Sequence, residues 1–127
     1  MKTVIAAAVS VVLAVAATAA SAQSGTAQRG ERLFNQQCKA CHTLEKDGAS
    51  PIGPNLFGMF GRKAGTAPGF AWSEPMIKSA IVWDDKSLAD YLKDPDARVP
   101  DTKMSFPGLK RQEQIDDMIA YLHKATQ

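Results

Sequence analysis

The sequence predicts an all-α domain with three main helices and long irregular loops between them. Three observations predict this class. Apolar residues recur at three- and four-residue intervals in three separate stretches. Val/Ile-rich runs of strand length are missing after the first 22 residues. The segments between the periodic stretches are rich in proline and glycine and carry neither the helical nor the strand period.

The first 22 residues stand apart. Met1-Lys2 leads into an Ala/Val-rich apolar stretch ending in Ala20-Ser21-Ala22, the small-x-small pattern of a signal-peptidase site. Residues 1–22 are therefore read as a signal peptide and the chain as exported. A retained membrane anchor is the lesser reading: the run from Val4 to Ala22 is nearly long enough to span a bilayer, but it is alanine-rich and broken by Ser10 and Thr18. The expected mature domain, 23–127, is long enough for one compact unit and too short for two. Loss of Lys2 lowers the formal net charge from +2 to +1, which argues against a nucleic-acid partner.

From Gln28 to Cys41, the residues Gly30, Leu33, Phe34, Gln37 and Cys41 fall on one side at helical intervals, which predicts the first helix. It delivers Cys38-Lys39-Ala40-Cys41-His42, and this pentapeptide matches a covalent haem attachment site. Thiols at i and i+3 lie on one side of a helical turn, where each can add to one of the two vinyl groups along a porphyrin edge. His42 then sits beneath the iron as an axial ligand. A thiol oxidoreductase would place its cysteine pair at the end of a strand in a βαβ framework, which this chain lacks. A zinc site needs about four ligands, and outside the cluster only His123 remains as a histidine. A bare structural disulfide stays open, although so short a loop would stabilise little.

Between Pro51 and Gly69 lie three prolines and five glycines without periodicity. Yet Ile52, Leu56, Phe57, Met59, Phe60 and Phe70 are too apolar for a solvated linker, so this loop is expected to pack on something flat and apolar. The next helix is expected from Asp84 as N-cap through Leu88, Tyr91 and Leu92, ending at Asp94-Pro95. The last follows from Ile115, Met118, Ile119 and Leu122 at i, i+3, i+4 and i+7, with Glu113, Asp116 and Asp117 early and His123 and Lys124 late.

A haem iron held by one histidine has a second face to fill. Met59, Met76, Met104, Met118 and His123 are the candidates. Met118 belongs to the apolar stripe of the last helix. Met104 lies in Val99–Gly108, a proline-bounded loop with no stripe that would claim a methionine, and ordinary packing is the competing role for it. Met59 and Met76 share a weaker form of the same argument.

Taken together, these residues resemble a class I cytochrome c of the mitochondrial type in its bacterial periplasmic form. The resemblance covers nearly all of the sequence after the leader. It rests on Cys38–Thr43, Gly53-Pro54-Asn55-Leu56-Phe57-Gly58, Gly61-Arg62-Lys63-Ala64-Gly65, Ala67-Pro68-Gly69-Phe70, Thr102-Lys103-Met104 and Ile119-Ala120-Tyr121-Leu122. It implies a fold of three main helices plus loops wrapped around one covalent haem c, with His42 and Met104 as the iron ligands. It further implies that the Pro54 carbonyl orients His42, that Arg62 and Trp83 lie near a propionate, and that Thr102 sits beside the methionine. Gly30 and Phe34 would meet Tyr121 where the first and last helices cross. The chain departs from the family in having Trp72 where a tyrosine often stands near the second propionate; its indole can donate a hydrogen bond but cannot accept one. It also has Gln37, Asp96 and Ala97 at places where mitochondrial forms carry lysine, leaving Lys39, Lys103, Lys110 and Arg111 as a thin positive rim.

The expected function is that of a monomeric, soluble periplasmic one-electron carrier, not an enzyme. Its expected partners are a cytochrome bc1-type reductase and a terminal oxidase or photosynthetic reaction centre. The competing reading is a haem protein with a labile distal ligand, acting as a peroxidase or gas sensor.

Overall fold

A computed structural model describes residues 21–127. Five helices follow in chain order: α1 (Ser21–Gln37), α2 (Glu74–Lys78), α3 (Asp85–Lys93), α4 (Pro95–Arg98) and α5 (Gln112–Ala125). The described residues form no strand, only an isolated antiparallel bridge between Lys63 and Val82. The all-α expectation holds. The expected leader lies outside the described residues except for Ser21 and Ala22, which stand in the first turn of α1.

α1 starts earlier and stops earlier than the helix expected over 28–41. Its end is set where the amides of Cys38 and Lys39 both bond the Phe34 carbonyl, at 2.8 and 3.0 Å, so the ladder cannot advance to the next acceptor. The two cysteines therefore sit on the turn after the helix. Cys41 and His42 both donate their amides to the Cys38 carbonyl at 3.0 Å, which holds that turn closed.

α3 begins as its sequence predicts. The Asp84 carboxylate accepts from the Ser87 amide at 2.7 Å while the Ser87 hydroxyl accepts from the Asp84 amide at 2.9 Å, a reciprocal capping box. α3 ends at Lys93, as expected from Asp94-Pro95. What the periodicity did not reveal is that the same two residues start α4, with Asp94 as N-cap, accepting from the Ala97 amide at 3.1 Å, and Pro95 at the first helical position. α2 has a similar device, with Ser73 as N-cap and Pro75 at the second helical position. Helices of four or five residues are too short to show a period.

The core lies between α1, α3 and α5. Phe34, Leu88, Tyr91, Leu92, Ile115, Met118, Ile119 and Leu122 are buried, which places the whole predicted stripe of α5 inside. α1 and α5 form the most extensive helix pair. Their crossing is close because Gly30 faces the α5 backbone: a Cβ there would lie 2.0 Å from the Asp117 carbonyl oxygen and 2.7 Å from Tyr121 Cβ. One turn along, Phe34 and Tyr121 meet with ring centroids 5.7 Å apart and planes tilted by 53°.

Asp117, read from sequence as one of the acidic residues early in α5, is in fact buried beneath this crossing. Arg29 donates to it through Nε at 2.8 Å and Nη2 at 2.9 Å, a two-point contact that satisfies both carboxylate oxygens. The loop over 51–69 packs inward as expected. Met59 is buried, and Leu56, Phe57, Phe60 and Phe70 are half-buried. Ile52 is the exception and stands 70% exposed.

Gly30→Ala is expected to force the α1–α5 crossing apart and to lower stability by roughly 2–3 kcal/mol, the cost of overpacking a rigid contact. A denaturant midpoint equal to that of the parent would refute the close crossing.

Candidate haem site

The end of α1, the loops on either side of the Lys63–Val82 bridge, α3, the segment before α5 and α5 itself together wall a cavity of 260 Å³. Cys38, Cys41, His42, Pro54, Arg62, Trp72, Trp83, Thr102 and Met104, the residues picked out from sequence, all line it. They are scattered over residues 38–104, so the fold and not the sequence order gathers them.

His42 is fixed from two sides. Its Nδ1 lies 2.8 Å from the Pro54 carbonyl oxygen, and since a carbonyl can only accept, the proton sits on Nδ1 and the Nε2 lone pair is left for a ligand. Gly53 packs on the ring so closely that a Cβ there would come within 2.6 Å of His42 Cε1. The loop is pinned next to it by the Gly53 amide, bonded to the Cys41 carbonyl at 2.8 Å. Burial pulls the imidazole pKa below its ordinary 6.5, with the Pro54 bond opposing in part. The ring is thus neutral at neutral pH, the form that binds a metal.

Both cysteines are free thiols in this structure, half-buried on the cavity wall. Burial, with Cys41 beside it, pushes the Cys38 thiol up to about 11.

The opposite end of the candidate set lies on the segment before α5. Thr102 Oγ1 lies 2.9 Å from the Tyr91 hydroxyl and accepts from the Met104 amide at 3.4 Å, so α3 steadies the backbone that carries Met104. Met59, Met76 and Met118 also reach the cavity, but as buried core residues, whereas Met104 is half-buried. His123 does not line it. Its ring stacks on Phe60 at 3.7 Å between centroids, and its Nε2 lies 2.5 Å from Asp85 Oδ1.

Arg62 donates through Nη1 to the Phe57 carbonyl at 3.0 Å, and burial draws its pKa down. Strand-like bonds hold it beside Trp83: the Trp83 amide bonds the Arg62 carbonyl at 3.0 Å and the Gly61 amide bonds the Trp83 carbonyl at 2.8 Å. Trp72 donates its indole N–H to the Ala67 carbonyl at 2.8 Å. That donor, foreseen for a propionate, is spent within its own loop, and the ring contributes to the wall by its apolar surface.

A family model described as cytochrome c matches residues 27–126. The chain belongs to the cytochrome c family. Among its relatives, cytochrome c of Guizotia abyssinica is 44% identical over 110 residues, 87% of this chain and 99% of that protein. Cytochrome c of Chlamydomonas reinhardtii is 46% identical over 109 residues, covering 86% and 97%. That of Kluyveromyces lactis is 40% identical over 103 residues, covering 81% and 94%. The helices and loops form the class I cytochrome c fold, and the cofactor is one covalent haem c. The residues present fit that group: two free thiols three apart, a neutral imidazole with Nε2 unengaged, an apolar wall, and a glycine pressed against the ligand ring.

Gly53→Ala should push the imidazole off the Pro54 carbonyl. The expected outcome is a loss of stability of roughly 1–3 kcal/mol, with displaced magnetic-resonance signals of the His42 ring. Unmoved ring signals would show that the loop relaxes instead.

Proposed function

We propose that this cytochrome c is a soluble carrier of single electrons, exported to a bacterial periplasm, in which His42 Nε2 and Met104 Sδ hold the iron and Cys38 and Cys41 form the two thioethers. The observation that carries this reading is the shared cavity: the attachment turn, the oriented imidazole and the Met104 segment open onto the same apolar space. When bound, haem c supplies an iron that changes between the ferrous and ferric states.

The protein's part is to orient and to exclude water. Pro54 keeps the His42 ring in one tautomer and one plane, and Gly53 bars its rotation. Thr102 and Tyr91 hold the Met104 backbone. A neutral sulfur ligand and an apolar wall both disfavour the extra positive charge of ferric iron, which raises the reduction potential. His42 and Met104 would hold the iron from side chains that the fold already positions, so that little would have to move when an electron passes and no bond to a substrate would be needed.

The partners in this reading are a cytochrome bc1-type reductase and a terminal oxidase or photosynthetic reaction centre, met in brief encounters. Lys39, Lys103, Lys110 and Arg111 are exposed, and the chain's formal net charge is only +2, so steering is weak and association falls only modestly with salt. Export rests on the small-x-small end of residues 1–22.

The ferric protein is expected to show the weak far-red band of sulfur-ligated iron and, when reduced, to resist carbon monoxide. A missing band with fast gas binding would replace the carrier by a haem protein with an open site. Met104→Ala should abolish the band and lower the potential by on the order of 0.1 V or more, axial ligation being the dominant control. An unchanged spectrum would move the ligand role to another residue. In the double variant Cys38→Ala, Cys41→Ala, haem should become extractable by acid acetone.

A further inference from the structure

Thr102, Lys103, Met104, Ser105 and Phe106 line the cavity as five consecutive residues; Met104 and Phe106 pack against the core, but few hydrogen bonds tie the segment to the rest of the fold. Their backbone bonds are local: the Thr102 amide donates to the Val99 carbonyl at 3.0 Å and the Phe106 amide to the Met104 carbonyl at 3.0 Å. Anchorage returns only at Leu109, whose amide bonds the Leu92 carbonyl at 2.7 Å. Between those points the side-chain ties are the Tyr91–Thr102 pair and an exposed bond from Lys103 Nζ to the Ala71 carbonyl at 3.2 Å. With so few hydrogen bonds beyond itself, the stretch is held chiefly by the packing of Met104 and Phe106 and opens more readily than the hydrogen-bonded loop over 51–57.

The turn that enters this strap is conformationally costly. Val99-Pro100-Asp101-Thr102 closes by the Thr102–Val99 bond with Pro100 second and Asp101 third at φ 61°. Proline bars positive φ at the second position, so the turn is type II, whose third residue is ordinarily glycine because the left-handed region strains a Cβ. Among the described residues, no hydrogen bond or ion pair engages the Asp101 side chain to offset this. Asp47 and Ala80 also have positive φ, but neither adjoins a run of cavity-lining residues.

We infer that Asp101 is a positioning residue that sets how readily the 102–106 strap, and Met104 with it, lifts off the cavity. The inference rests on the proposal that Met104 is an iron ligand; the strain at Asp101 does not. The Asp residue keeps the strap closer to opening than glycine would, so a small neutral nitrogen ligand such as imidazole enters more easily.

The test uses the haem-loaded protein and the variants Asp101→Gly and Asp101→Asn. Two quantities are read: the affinity of the ferric form for imidazole and the exchange rate of the Thr102 amide. Asp101→Gly should weaken imidazole about fivefold and slow exchange about fivefold, the effect of relieving one left-handed non-glycine residue. Asp101→Asn, a residue that tolerates this region better, should lie between. Thr102 exchange that is as fast in Asp101→Gly as in the parent overturns the inference. Slower exchange with unaltered imidazole affinity, in a parent lacking the far-red sulfur band, upholds the strained strap and rejects Met104 as ligand.

Discussion

The approach of α1 to α5 at Gly30 is the constraint on which the rest is built. With no side chain at that position, the α1 backbone comes against the Asp117 carbonyl, and Phe34 can then reach Tyr121. α1 ends a turn beyond this contact, where the Phe34 carbonyl receives both the Cys38 and the Lys39 amides. The attachment turn is thereby aimed at a cavity whose floor includes Met118 and Leu122 of α5. Arg29 and Asp117 reinforce the crossing from its polar side, and a buried carboxylate with both oxygens bonded is tolerable where a single one left unpaired would be costly.

From that fixed end the site is assembled by two loops with opposite mechanical character. The 51–57 loop is tightly held: the Gly53 amide on Cys41, the Leu56 amide on Thr43, the Asn55 amide on Ser50 Oγ, and Pro54 on His42. It makes the imidazole a rigid fixture. The 102–106 strap has only local backbone bonds and two side-chain ties, and enters through a strained turn. An electron carrier gains from rigidity on both sides of its metal, since any rearrangement on changing charge slows transfer. The asymmetry concentrates whatever freedom the site has on the strap that carries Met104.

Polar groups around the cavity are used economically. Trp72 gives its N–H to Ala67 and Arg62 one of its N–H groups to Phe57, so both donate first to the loops that carry them. This stiffens the wall at the expense of donors aimed inward. The wall is consequently more apolar than the count of aromatic and basic residues in this region suggests, and an apolar surrounding favours the less charged state of an enclosed metal.

The sequence alone determined the class, the α3 and α5 helices, the attachment turn and its histidine, because each is encoded locally: a period, a capping residue, a pentapeptide. It also picked out nine residues that the structure brings to one cavity, though several of their roles came from likeness to a family, not from spacing. Tertiary structure decided what depends on contacts between distant segments. It buried Asp117 by supplying Arg29 from 88 positions away, withdrew His123 by stacking it on Phe60, and spent the Trp72 donor inside its own loop. It left Ile52 exposed, and it put Asp101 into a left-handed turn position where glycine is the ordinary choice. Propensity and pattern describe a residue's neighbours along the chain, whereas burial, pairing and strain are set by neighbours in space.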